Sequence, residues 1–186
     1  MRGSETVLLL IDLQRAVDDA SWGPRNNLEA ELNVARLLTA WRSGSWPIIH
    51  VRHDSMVPHS TYRPGQIGNE FKPEARPIAG EKVVAKHTNS AFIGTELEAL
   101  LRAQGCPSLV VVGVSSSNSV EATVRMAGNL GFETYLVADA SFTFDKIDWH
   151  GRNRTADEVH AMSLANLDGE YCRVVATEWI LQRVKV

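Results

Sequence analysis

The chain has 186 residues, 44% of them hydrophobic, and its 19 basic and 22 acidic side chains leave a formal net charge of −3. One domain spanning residues 1–186 is expected at this length, burying about 70% of the unfolded chain's surface. The near-neutral balance excludes an electrostatic footprint for nucleic acid or an anionic membrane, and no apolar run approaches the roughly 18 residues that span a bilayer.

Residues 1–4 read as a leader without structural weight and lead straight into a strand pattern with no signal-peptide core, so a cytoplasmic location is expected. Continuous apolar runs follow at 7–11, 48–51, 83–85, 109–112, 135–137 and 174–175. Runs that are apolar without alternation suit strands buried on both faces. Between them lie helical patterns. The first carries Leu28, Leu32, Ala35, Leu38 and Trp41 at three- and four-residue steps, opened by Asn26 with Glu29 and closed by Gly44. Capping boxes are predicted at Thr95 with Glu98 and at Thr155 with Glu158, the latter opening a helix through His160, Leu164 and Leu167. Another helix follows Ser119 and runs through Val124 and Ala127 to Gly131, and Thr177 is expected to cap a last short one. This alternation predicts an α/β fold, a three-layer αβα sandwich around a mostly parallel, roughly six-stranded, Rossmann-like sheet. The exception is residues 53–79, which hold four prolines and no periodicity; a loop this long inside a compact domain suits a lid or a partner-binding segment. Two cysteines, Cys106 and Cys172, are too few for a disulfide framework and are expected to be reduced, in or near the core.

The phosphate-binding signatures G-x-G-x-x-G and G-x-x-x-x-G-K-[ST] are absent, as is H-E-x-x-H. His50 and His53, three apart near a strand end, point to opposite faces and make a poor metal pair. The strand-to-helix junction Gly113-Val114-Ser115-Ser116-Ser117-Asn118-Ser119 lacks the last glycine of a G-x-S-x-G elbow. A small-polar turn entering a helix nonetheless offers backbone N–H groups and the positive end of a dipole to an oxyanion. It sits at the carboxyl edge of the sheet, where ligands of open parallel sheets gather. Asp12 ends the first strand and Lys86 the third, on that same edge. A charge just above a buried strand is costly without a partner or a task, so three reactive positions on one edge point to a site.

These segments resemble the isochorismatase-like cysteine hydrolases, a family that includes nicotinamidases and N-carbamoylsarcosine amidohydrolase. The likeness covers nearly the whole chain. It runs through Leu9-Leu10-Ile11-Asp12-Leu13-Gln14, then Gly80-Glu81-Lys82-Val83-Val84-Ala85-Lys86, then Val112-Gly113-Val114 with Ser119-Val120-Glu121-Ala122-Thr123, and Leu164-Ala165-Asn166-Leu167 near the end. The resemblance implies a catalytic Asp-Lys-Cys triad at Asp12, Lys86 and position 119. It also implies a cis peptide between Val114 and Ser115, with the N–H groups of Ser115 and Ser119 as an oxyanion hole, and hydrolysis of a carbon–nitrogen bond in a small-molecule amide.

Here position 119 is serine. A helix N-terminus and a lysine bring a cysteine down from about 8.5 toward neutrality, whereas an alkanol starts far higher. Three readings follow. They are a Cys-to-Ser form inactivated by substitution, a slow natural serine hydrolase, and a member that hydrolyses a vinyl ether or only binds and needs no nucleophile. The first is preferred because every neighbour of Ser119 fits the cysteine-bearing pattern. The stretch 52–59 does not reproduce the ligand spacing of the nicotinamidases, so neither a metal nor another cofactor is expected. Gln14, Trp22, His53, Tyr62, Phe144 and Trp149 are candidate substrate-binding residues on loops at the same edge. The resemblance further implies a homodimer or homotetramer, with residues 53–79 as a candidate contact.

Overall fold

In a computed structural model, which describes residues 1–105 and 108–184, six parallel strands form one sheet. They are β1 (Thr6–Ile11), β2 (Ile48–His53), β3 (Lys82–Lys86), β4 (Ser108–Val114), β5 (Glu133–Phe142) and β8 (Arg173–Val175), in the order β3-β2-β1-β4-β5-β8. A hairpin of β6 (Lys146–Ile147) and β7 (Asn153–Arg154), absent from the sequence pattern, stands outside it. The helices are α1 (Ala30–Ser43), α2 (Leu97–Ala103), α3 (Glu121–Asn129), α4 (Ala156–Ala165) and α5 (Thr177–Leu181).

Because side chains alternate across a strand, β1 feeds two cores. Leu8 and Leu10 join Val34, Leu37, Leu38 and Trp41 of α1 and Ile180 of α5. Val7, Leu9 and Ile11 join Leu97 and Leu101 of α2 and Val124 and Ala127 of α3. All six β1 residues are buried, as the continuous apolar run requires. The strand order reverses between β1 and β4, leaving a crevice above their carboxyl ends.

Several local expectations give way to tertiary contacts. The first helix begins at Ala30 and buries Val34, Leu37, Leu38 and Trp41; Leu28 precedes it and is 76% exposed, and Leu32 lies on its outer face, 59% exposed. Asn26, expected to cap that helix, instead exchanges hydrogen bonds with the Thr143 backbone: its Oδ1 accepts from Thr143 N at 2.9 Å. Thr95 forms no capping box; its hydroxyl accepts from Leu97 N while Glu98 pairs with Arg102. Thr177 gives its hydroxyl to Asp139 and leaves the cap position to Ala176. Thr155 and Glu158 do form the reciprocal box. The leader packs: Met1 lies against the first core, and Gly3 is buried so close to Trp46 that a Cβ would sit 2.2 Å from its ring. Cys172 is a half-buried thiol that burial and Asp168 push up to about 12, while Cys106 lies outside the described residues.

Candidate active site

Asp12 follows the last residue of β1 with φ +52°. Aspartate tolerates this left-handed conformation better than most residues, and the turn puts the carboxyl into the crevice instead of along the strand. β4 approaches β1 closely at Gly113, which pairs with Ile11 and has φ +133°. A Cβ there would lie 2.1 Å from the Ile11 carbonyl oxygen, so glycine is required. Beyond it the Val114–Ser115 peptide is cis, and Ser116–Val120 makes one π-helical turn that continues into α3. The Ser115 carbonyl accepts from the N–H groups of Asn118 and Val120 at 3.0 and 3.2 Å, holding that turn.

The structure brings Asp12, Lys86 and Ser119 together. The Lys86 Nζ, on a fully buried side chain, donates to Asp12 Oδ2 at 2.7 Å, to Ser119 Oγ at 3.2 Å and to the Thr88 carbonyl at 3.0 Å. Asp12 and Ser119 are buried as well. Burial raises the Asp12 pKa, opposed first by the charge and hydrogen bond of Lys86 and then by the Ser119 hydroxyl. Its Oδ1 has no hydrogen-bond partner among the described residues, leaving one carboxyl oxygen unengaged.

A wall of rings rises beside this trio. The Trp22 and Phe144 centroids are 5.1 Å apart, Tyr62 meets Trp22 edge-on at 6.1 Å, and His53 meets Tyr62 at 5.4 Å. The Tyr62 hydroxyl donates to the Asp12 carbonyl at 3.2 Å. His53 Nδ1 lies 3.5 Å from Lys86 Nζ, and burial followed by the Lys86 charge lowers its pKa to about 4, so the ring is neutral in ordinary buffers. His50 indeed turns away, bonding Glu81 at 2.7 Å. In the stretch compared with the nicotinamidase ligands, Asp54 is held by Arg52 and Asn69, and the His87 ring bonds the Asp54 carbonyl.

Two candidates sit elsewhere. The Gln14 amide is fully buried and occupied at both ends: Nε2 donates to the carbonyls of His53 and Asn69, and Oε1 accepts from His53 N. It fastens the loop 53–79 to β1 and leaves nothing for a ligand. Trp149 is 96% exposed in the turn between β6 and β7, apart from the ring wall. The sequence reading missed a hydroxyl cluster next to the turn, with Thr143 Oγ1 2.5 Å from Ser115 Oγ and 3.1 Å from Ser117 Oγ. It also missed Ser116, whose hydroxyl is 2.7 Å from His160 Nδ1. The signal for Thr143 lay in β5, which runs to Phe142, well past the three apolar residues that mark it.

The isochorismatase domain model matches residues 6–178. The chain belongs to the isochorismatase family. The family protein YrdC of Bacillus subtilis is 37% identical over 174 residues, covering 94% of this chain and 93% of that one. A crystal structure assigned to the isochorismatase family, from Chromobacterium violaceum, is 68% identical, with a TM-score of 0.94 and 96% and 93% of the two chains covered. Maleamate amidohydrolase of Pseudomonas putida is 32% identical over 109 residues, 59% of this chain and 46% of that enzyme. The protein is thus an isochorismatase-family hydrolase with amidohydrolases among its relatives.

Proposed function

We propose that this isochorismatase-family site is built to hydrolyse the carbon–nitrogen bond of a small amide or carbamoyl compound, and that serine at 119 leaves it catalytically impaired. The observation that carries the reading is the single buried ammonium of Lys86 spanning Asp12 and Ser119 at 2.7 and 3.2 Å. Such a cation holds a carboxylate and a nucleophile in register and favours the negative form of either.

In this reading the side chain at 119 adds to the carbonyl carbon while its proton passes to Asp12. The carbon–nitrogen bond breaks as Asp12 returns that proton to the departing nitrogen. Water then attacks the acyl group, its proton going to Asp12 and from there to the atom released at position 119. The N–H groups of Ser115 and Ser119, at the start of a helix, are the donors assigned to the carbonyl oxygen. A thiol suits this scheme because burial raises the Asp12 pKa and so makes the carboxylate a stronger base, while an alkanol holds its proton far more tightly than a thiol. The neutral His53 ring and the Trp22–Phe144–Tyr62 wall suit a small, flat acyl group.

The test is release of ammonia or amine from maleamate, nicotinamide and a panel of carbamoyl compounds, comparing this chain with Ser119→Cys. Cysteine is expected to raise kcat/KM by about 10²-fold or more for at least one of them. Equal rates in the two forms, or cleavage of a vinyl ether by the serine form that Ser119→Cys leaves little changed, would refute covalent catalysis at 119.

A further inference from the structure

A second cleft, of about 750 Å³, opens between the β6–β7 hairpin, one side of α4 and the turn that leads into α3. Ser117 reaches it from the turn, but Asp12, Lys86 and Ser119 do not line it. Aliphatic side chains, Ile147, Val159 and Met162 among them, share its walls with polar and charged ones, and Ile147 and Met162 are 67% and 63% exposed.

Three carboxylates and two cations line this cleft, and each carboxylate has a cationic partner. Asp148 pairs with Arg154 at 2.7 Å, and Glu158 pairs with the same Arg154 and closes the α4 capping box. Glu121 pairs with Arg125 at 2.7 Å and accepts from the Ser163 hydroxyl, also at 2.7 Å. Lys146 forms no ion pair among the described residues. Its Nζ donates to the neutral Asn118 Oδ1 at 2.7 Å, and burial lowers its pKa, offset only by the more distant Glu121. A partly desolvated ammonium with a neutral partner is short of an anion.

We infer that this cleft binds a small amphipathic carboxylate, its anionic end on Lys146 and its apolar body along Ile147, Val159 and Met162. The counter-ion that Lys146 lacks selects the anion, and the aliphatic side chains select an organic body over an inorganic ion. The site lies outside the hydrolytic trio yet touches it through one residue, because Asn118, the partner of Lys146, immediately precedes Ser119. A carboxylate drawing Lys146 toward itself competes with Asn118 for that ammonium.

The probe is 4-phenylbutyrate, with 4-phenylbutanol as its uncharged counterpart, titrated calorimetrically into the intact chain. A dissociation constant on the order of 1 mM is expected for the carboxylate, the value typical of a dozen heavy atoms in a shallow site, with the alcohol about tenfold weaker. Lys146→Met should weaken the carboxylate about tenfold and leave the alcohol unchanged, and Met162→Glu should weaken both. His53→Ala, in the ring wall of the other site, should change neither. Loss of phenylbutyrate binding in His53→Ala but not in Lys146→Met would place the ligand at the hydrolytic site and overturn the inference. Equal binding of acid and alcohol would overturn it as well. So would failure of both to bind together with a self-association, seen by sedimentation, that Met162→Glu abolishes, since the cleft would then be covered by a second copy. None of these outcomes depends on turnover, so the inference fails or stands separately from the proposed hydrolysis.

Discussion

Replacing Lys86 by methionine removes one charge and keeps most of the side-chain volume. The ammonium it deletes is fully buried and donates to Asp12, Ser119 and the Thr88 carbonyl at 2.7, 3.2 and 3.0 Å. Removing one partner of a buried ion pair costs about 3–5 kcal/mol while the other stays ionised. Asp12 can escape part of that cost by taking up a proton. Burial already raises its pKa, and Lys86 is the main opposing influence, so the substitution raises it further. A carboxyl whose folded pKa lies above its unfolded one contributes fully below the unfolded value, about 3.9, and loses that contribution as pH rises through the folded pKa. The loss runs at about 1.4 kcal/mol per pH unit. The Lys86→Met deficit relative to the parent should therefore be about 3–5 kcal/mol at pH 8 and smaller by on the order of 2 kcal/mol at pH 5. Urea unfolding followed by circular dichroism at the two pH values measures it. Asp12→Asn added to Lys86→Met removes the stranded charge with a residue that also accepts φ near +52°. The double variant should regain stability at pH 8 and lose the pH dependence. A deficit equal at both pH values, or a double variant no more stable than Lys86→Met at pH 8, refutes the view that Lys86 holds a buried Asp12 carboxylate.

Other expectations follow from single features of the fold. Thr155→Ala removes half of the capping box of α4 and should cost about 1 kcal/mol in urea unfolding; no loss would mean that tertiary contacts alone fix that helix start. Gly113→Ala forces a Cβ to within 2.1 Å of the Ile11 carbonyl at φ +133° and should destabilise by more than about 3 kcal/mol, read as a lost or sharply lowered thermal transition. His53 should titrate by NMR near pH 4, and because its folded pKa lies below the unfolded one, its contribution to stability is complete above about 6.5 and is lost as pH falls toward 4. A His53 titration close to 6.5 would show that the ring is not buried beside Lys86.

The features legible in the sequence were those set by local chemistry. The β1 run, Leu8 and Leu10 included, is apolar because both faces of the strand are covered, so its place in the middle of the sheet could be read directly. The Thr155–Glu158 box was legible because both partners lie within one turn. The Asn26 cap misled because its side chain found Thr143 N instead, and the Thr95 box stayed half-made because Glu98 pairs with Arg102 while the Thr95 hydroxyl still accepts from Leu97 N. The buried face of α1 runs through Val34, Leu37, Leu38 and Trp41, and Leu28, which precedes the helix, is left in solvent.

At the site, the sequence placed Asp12, Lys86 and Ser119 on one sheet edge, since each closes or follows a strand and parallel strands share a carboxyl end. Distances were beyond it. Lys86 lies two strands away from Asp12 in the sheet, and the 2.7 Å contact depends on Asp12 turning through a left-handed φ and on the fully buried lysine chain reaching across β2. The loop residues were the least legible, because a glutamine or tryptophan serves equally as clamp, wall or surface. Gln14 became a clamp by meeting two backbone segments far away in sequence, Trp22 became a wall by meeting Phe144 and Tyr62, and Trp149 met neither. The sequence by itself thus determined the layered parallel fold and the chemical identity of the groups at its edge, because strand burial and strand ends are properties of short segments. Only the tertiary structure decided which loop side chains face Asp12, Lys86 and Ser119, because that depends on contacts between residues tens of positions apart, whose partners no local pattern encodes.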